Sequence, residues 1–198
     1  MKLVLASDNK NKLREFRELL ADFDVELLSK AEAGVTEEVD ETGKTFAENA
    51  RLKAEAVMRA TGLPAIADDS GLCIYALHGE PGVLSARYTG RHEDSDEARR
   101  ALVLRKMEKE NDRRAYFVCS LCCLFPDGGE ILSEQCMEGT ILREARGTGG
   151  FGYDPIFLPD GSEKSNAELS PDEKNALSHR GKALRDFLKK WEMYHADK

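Results

Sequence analysis

"RAYFVCSLCCLFPDGGEILSEQCMEGTIL" (114–142) decides the fold. A long apolar and aromatic run (114–125) meets Pro126-Asp127-Gly128-Gly129, a turn composition, and a second run (130–142) follows at once. That is a strand, a hairpin turn and a strand, so the middle of the chain carries antiparallel pairing. Upstream the pattern changes. "KLVLA" (2–6) reads as a buried strand, the polar turn "SDNKNK" (7–12) follows, and Leu13, Phe16, Leu19 and Leu20 line one face of a helix over 12–23. "VELLSK" (25–30) is a second strand, and 36–44, "TEEVDETGK", an acidic loop. Thr45 caps a helix over 46–62, with Glu48 as capping-box partner and Gly62 at its end. Residues 64–77 read as a strand, an acidic turn and another strand. Ser95 caps a charged helix over 95–110, and 167–194 gives two helical stretches with Ser170-Pro171 as cap and first turn. Strands alternating with helices, then a hairpin, predict a mixed-sheet α/β or α+β domain.

The 198 residues suit one domain, or one large domain with two lobes, and 1–198 is taken as a single domain. A net charge of −8 gives no footprint for a nucleic-acid polymer, although a local pocket for a small anion remains compatible with it. No apolar run approaches the roughly 20 residues of a membrane span, and the short apolar stretch after Met1 does not resemble a signal peptide. The expected location is cytoplasmic. Cys73, Cys119, Cys122, Cys123 and Cys136 are odd in number and clustered, unlike a secreted disulfide framework. "CSLCC" contains a C-x-x-C, but on a strand Cys119 and Cys122 point to opposite faces. These thiols read as core rather than as zinc ligands.

Four stretches carry chemistry. In "SDNKNK", a strand passes through Ser7, Asn9 and Lys12 into a helix start, which gathers backbone N–H groups, the helix dipole and side-chain donors for an anion. In "ADDSGL", Asp68 and Asp69 repel each other near a strand end unless a cation or donors offset them. A hard ion such as Mg²⁺, which takes oxygen ligands and keeps waters, resolves that repulsion. Asp40 and Glu41 offer further carboxylates from the acidic loop. Lys53, Lys174 and Arg180 are cations for a phosphate chain, and Ser178-His179-Arg180 places several donors together. In "GTGGFGYDPIF" (147–157), glycines let the backbone approach a ligand, Phe151 is placed to stack on a base, and Asp154 to accept from ring N–H groups. Together these are the parts of a nucleoside triphosphate site.

"SDNKNK", "DETGKTFAENARLKA", "PAIADDSGL", "GEPGVLSARY", "GTGGFGYDPIF" and "EKNALSHRGKAL", in this order from Ser7 to about Leu184, resemble the inosine/xanthosine triphosphate pyrophosphatase family. The resemblance implies a two-lobed α/β fold with a long central mixed sheet flanked by helices, an active-site cleft between the lobes, and a homodimer. It implies Mg²⁺-dependent hydrolysis of deaminated purine nucleoside triphosphates (ITP, dITP, XTP) to the monophosphate and pyrophosphate. By the same resemblance Ser7, Asp8, Asn9, Lys10, Asn11 and Lys12 form the substrate loop, and Asn9, Lys12 and Lys53 hold the triphosphate. Glu41 and Asp69 take metal positions, and Ser70 contacts substrate. Phe151, Gly152, Tyr153, Asp154, Lys174, His179 and Arg180 enclose the purine. Asp69 is the family's proposed base; Asp68 is the alternative, since one carboxylate cannot be both a tight metal ligand and a strong base without compromise. A donor aimed at O6 rejects adenine by being left unpaired. With Arg180 or His179 in that role, Arg180→Ala is expected to reduce turnover far more than folding. Two rivals are a pyrophosphatase for modified pyrimidine nucleotides and a non-catalytic nucleotide sensor.

Overall fold

The computed structural model describes residues 1–21, 23–90 and 95–196. Six strands form one sheet in the order β2-β1-β3-β4-β5-β6. They are β1 (Lys2–Leu5), β2 (Glu26–Ser29), β3 (Ala65–Ile74), β4 (Arg114–Leu124), β5 (Glu130–Ile141) and β6 (Phe157–Pro159). The helices are α1 (Lys10–Leu19), α2 (Phe46–Thr61), α3 (Asp96–Lys106), α4 (Pro171–Leu177) and α5 (His179–Ala196). β1 runs parallel to β2 and to β3, whereas β5 and β6 are antiparallel, so the sheet is mixed as expected. Among the described residues no helix is long and apolar enough to cross a membrane.

The chain divides into two compact units. The first comprises Met1–Asp69, Cys119–Gln135 and Arg180–Lys198. Its strands alternate side chains between two apolar layers, as the two-residue period of a strand requires. Leu3, Leu5, Ile66, Cys119, Leu121 and Cys123 pack with Phe16 and Leu20 of the α1 region and with Ala183, Leu184, Phe187 and Trp191 of α5. Val4, Ala6, Ala65, Ala67, Cys122 and Leu124 pack instead with Ala50, Ala54 and Val57 of α2. Cys119 and Cys122 thus belong to different layers and cannot share a metal ion. The second unit comprises Ser70–Val118 and Cys136–His179. Its core gathers Leu72, Ile74, Val103, Met107, Phe117, Met137, Ile141, Ile156 and Phe157.

Local signals hold where they are strong. Thr45 Oγ1 accepts from Glu48 N (3.1 Å) and Glu48 Oε2 accepts from Thr45 N (3.3 Å), completing the capping box of α2, which ends at Gly62. Ser95 and Ser170 cap α3 and α4. Helix α1 begins at Lys10, earlier than expected, because the Asn9 side chain caps it, and it ends at Leu19 rather than near 23; Asp22 lies outside the described residues. One expectation fails outright. Residues 64–77 do not break at an acidic turn: β3 continues through Asp68, Asp69, Ser70 and Gly71. A strand sends adjacent side chains to opposite faces, which separates the two carboxylates, and each finds cations on its own face.

The thiols give a direct check on this packing. Cys73, Cys119, Cys122 and Cys123 are buried, and only Cys136 of the five is exposed. Burial pushes the Cys122 thiol up to about 12 and raises Cys73, Cys119 and Cys123 as well. The thiolate is the reactive form, so a thiol reagent at pH 8 is expected to label one equivalent quickly, at Cys136, and the other four only on unfolding. Mass mapping of the fast-labelled peptide checks this.

Candidate active site

The first unit holds a charged cluster built from α1, β3, α2 and the 36–44 loop. Asn9 Oδ1 accepts from Asn11 N (2.9 Å) and Lys12 N (3.2 Å), and Asn9 N donates to Ser7 Oγ (3.2 Å). The Asn9 oxygen is therefore a helix cap, and its Nδ2 is the group suited to an anion. Asp8, Asn9 and Lys10 are exposed, with Ser7, Asn11 and Lys12 half-buried. Asp8 Oδ2 lies 2.7 Å from Lys30 Nζ, which also donates to Glu37 O (2.9 Å). Lys30 thus ties the 7–12 loop to the acidic loop, a role no local pattern announced.

Asp68 and Asp69 have different surroundings. Asp68 is buried, with Lys12 Nζ 3.1 Å from its Oδ2 and Arg180 donating to the same oxygen from Nε (3.3 Å) and Nη2 (3.2 Å). Arg180 also pairs with Glu15. Burial opposes ionisation of Asp68, but Lys12, Arg180 and Lys53 outweigh it and hold the carboxyl well below the usual range. On the other face, Asp69 Oδ1 lies 3.2 Å from Lys53 Nζ and its Oδ2 accepts from Asn49 Nδ2 (3.1 Å). Lys53 Nζ also donates to Glu41 Oε1 (2.7 Å). Burial raises the Asp69 carboxyl, Lys53 pulls against it, Glu41 adds to it, and the net shift is upward. Two neighbouring carboxyls pushed in opposite directions are the usual mark of divided roles.

Glu41 and Asp69 already converge on one cation, the ammonium of Lys53. The donor set is all carboxylate oxygen, which suits a hard divalent ion. Among the described residues no cluster of three or more His, Cys, Asp or Glu could hold a metal.

The second unit holds the glycine-rich segment. Asp154 is buried, and its Oδ2 accepts from Phe151 N (2.9 Å) and Lys174 Nζ (2.9 Å), while Oδ1 accepts from Asn166 Nδ2 (3.3 Å). Its carboxylate thus folds the loop around itself. Gly150 adopts φ +70°, and a Cβ there would sit 2.2 Å from Asp154 Oδ2, so only glycine lets the chain close over that carboxylate. Lys174 Nζ lies 4.6 Å from the centre of the half-buried Phe151 ring, a cation–π contact. Gly152 N donates to Asp96 Oδ2 (2.7 Å) and Gly152 O accepts from Arg100 (2.7 Å), both on α3. Tyr153 is buried and its hydroxyl donates to Ser85 O (2.8 Å), which makes it a core residue. His179 is buried with its ring stacked on Phe117, 4.8 Å between centroids.

Ser178 is the C-cap of α4, and His179 and Arg180 open α5. Ser70 opens the second unit within β3. Asn49, Asn166, Glu15 and Lys30 bond the candidate residues Asp69, Asp154, Arg180 and Asp8, and sequence reasoning misses them. For Asn49 a signal exists: it stands four residues before Lys53 on the same helix, hence on the same face. The partner of Glu15 stands 165 residues along the chain and that of Asn166 12 residues back, and no local pattern marks either.

Comparison with known proteins places this geometry. The Ham1 family profile matches residues 3–190. A dITP/XTP pyrophosphatase of Streptomyces avermitilis is 48% identical, with 94% of this chain and 95% of that protein covered. One from Lactiplantibacillus plantarum is 45% identical over 98% and 96% of the two chains. The structure of the Staphylococcus aureus Ham1 protein superposes with a TM-score of 0.89 at 39% identity, covering 98% of this chain and all of that one (100%). With sequence and fold matched over nearly its whole length, the chain belongs to the Ham1 family.

Proposed function

We propose that this protein is a nucleoside-triphosphate pyrophosphatase acting on deaminated purine nucleotides, ITP, dITP and XTP, and releasing the monophosphate and pyrophosphate. The observation that carries the reading is the division between Asp68 and Asp69: one carboxylate locked as a counter-ion, its neighbour raised and set beside Glu41 and Lys53. The names of the relatives point to the same substrates.

Lys12 and Lys53, with the backbone N–H groups at the start of α1, neutralise and align the phosphate chain. Asp69 accepts a proton from water as its oxygen attacks the α-phosphorus, and pyrophosphate leaves on the opposite side. Asp68 stays ionised and holds Lys12 in place. Glu41 and Asp69 would hold Mg²⁺, and the ion would supply charge neutralisation for the pyrophosphate leaving group and a lowered pKa for a water bound to it. Phe151, with its backbone and Lys174, covers the purine, while Asp154 fixes the shape of that loop. The enzyme works as a homodimer in the cytoplasm, where its substrates form part of the free nucleotide pool.

The test is pyrophosphate release with Mg²⁺ from inosine, xanthosine, adenosine, guanosine and uridine triphosphates. Fast release from the first two alone is expected. Release mainly from uridine triphosphate would move the protein to the pyrimidine branch, and tight binding of inosine triphosphate without release would make it a sensor. Phe151→Ala is expected to raise KM for inosine triphosphate about tenfold, from the loss of base stacking worth roughly 1–3 kcal/mol. An unaltered KM in steady-state kinetics would remove Phe151 from the base site.

A further inference from the structure

Asn49 is fully buried, yet both ends of its side-chain amide are engaged. Nδ2 donates to Asp69 Oδ2 (3.1 Å), and Oδ1 accepts from Gly43 N (2.8 Å). These partners fix the amide in one sense, since the reverse would set donor against donor at Gly43 and oxygen against carboxylate at Asp69. One turn further along α2, Lys53 Nζ meets the other oxygen of Asp69 (3.2 Å) and also Glu41 Oε1 (2.7 Å). Glu41 and Gly43 stand two positions apart on one loop. The circuit Asn49–Asp69–Lys53–Glu41–Gly43–Asn49 therefore closes on itself.

The loop is pressed against this amide. A Cβ on Gly43 would lie 2.6 Å from Asn49 Oδ1 and 2.8 Å from Glu48 Cβ. Lys44 N also donates to Glu48 Oε2 (2.6 Å), which fastens the loop to the first turn of α2. Glu41 thus reaches its position through a backbone fastened at Asn49, two residues on. An aspartate carboxylate otherwise turns freely about its last torsion; the bond from Nδ2 commits Oδ2 inward and leaves Oδ1 on the side of Glu41 and Lys53.

We propose that Asn49 is the positioning residue of the cation site, aiming the Asp69 carboxylate and the Glu41 loop at a common point for a divalent ion. This rests on the reading that Glu41 and Asp69 hold Mg²⁺. Asn49 touches neither substrate nor cation; it acts through the two groups that do. Partners of this kind affect metal affinity by about 10–100-fold.

The experiment is Mn²⁺ binding to the nucleotide-free protein, followed by electron paramagnetic resonance, for wild type, Asn49→Ala and Gly43→Ala. Circular dichroism and melting curves are recorded alongside. Both variants are expected to bind Mn²⁺ about tenfold more weakly or worse. The Mg²⁺ concentration for half-maximal hydrolysis should rise by a similar factor, with kcat approaching wild type at saturating Mg²⁺. Gly43→Ala reaches the same amide from the loop side, so it carries the test if Asn49→Ala does not fold. A lower melting temperature with unchanged Mn²⁺ affinity and Mg²⁺ dependence would make Asn49 merely structural and overturn the proposal. Wild-type protein that binds no Mn²⁺ would overturn the metal reading itself, and the role of Asn49 with it.

Discussion

Asp69→Asn is expected to lower kcat by about 10²–10⁴-fold, the usual range for removing a positioned general base. The reason lies in what its two oxygens see. Asp69 is buried, its carboxyl is raised above the ordinary value of 3.8, and it shares Lys53 with Glu41. The amide introduced by the substitution would still offer an oxygen to Lys53, but it could not take a proton. Its NH₂ would then face the Asn49 amide donor to donor. The pH profile gives the sharper check. A base must be ionised to act, so activity falls as pH drops through the raised Asp69 value, at higher pH than an ordinary aspartate would give. A divalent cation competes with the proton for the same oxygens, so raising Mg²⁺ should move that acid limb to lower pH. Steady-state kinetics at two Mg²⁺ concentrations test this: an acid limb that does not move, or survives in Asp69→Asn, would assign the base elsewhere.

What the sequence discloses about this site divides by the range of the interactions. The Thr45 capping box and the 114–142 strand pair are legible because their determinants lie within a few residues of one another. "ADDSGL" reads wrongly as a turn for the same local reason, since Asp, Ser and Gly favour turns. A partner that overrides that preference, Arg180, stands 112 residues along the chain. Tyr153 reads as a ligand contact because of the family resemblance, and Asp154 because it follows a glycine run. Their fixed partners, Ser85 O for one and Asn166 and Lys174 for the other, are matters of tertiary packing. Motif order thus names the family, while the duties of single residues within each motif wait on geometry.

Arg180 shows how much that difference matters. As a purine-facing donor it would be lost with little effect on folding. Its burial beside Asp68 and Glu15 reverses the expectation: Arg180→Ala should destabilise the protein by about 3–5 kcal/mol, the range for removing one partner of a buried ion pair. The guanidinium bonds both carboxylates at once, so its loss weakens the compensation of two buried charges, with Lys12 still beside Asp68. Linkage then supplies a signature that loss of packing lacks. In the native protein the Asp68 carboxyl is held below its unfolded value. Its contribution is therefore fully present above that unfolded value, roughly 4, and declines as pH falls towards the native one. Removing Arg180 weakens that shift. The stability difference between wild type and variant should therefore be largest near pH 7 and shrink towards pH 3, when followed by urea unfolding. A difference independent of pH would mean that the side chain matters for its volume rather than its charge. Loss of turnover with unchanged stability would return Arg180 to the purine.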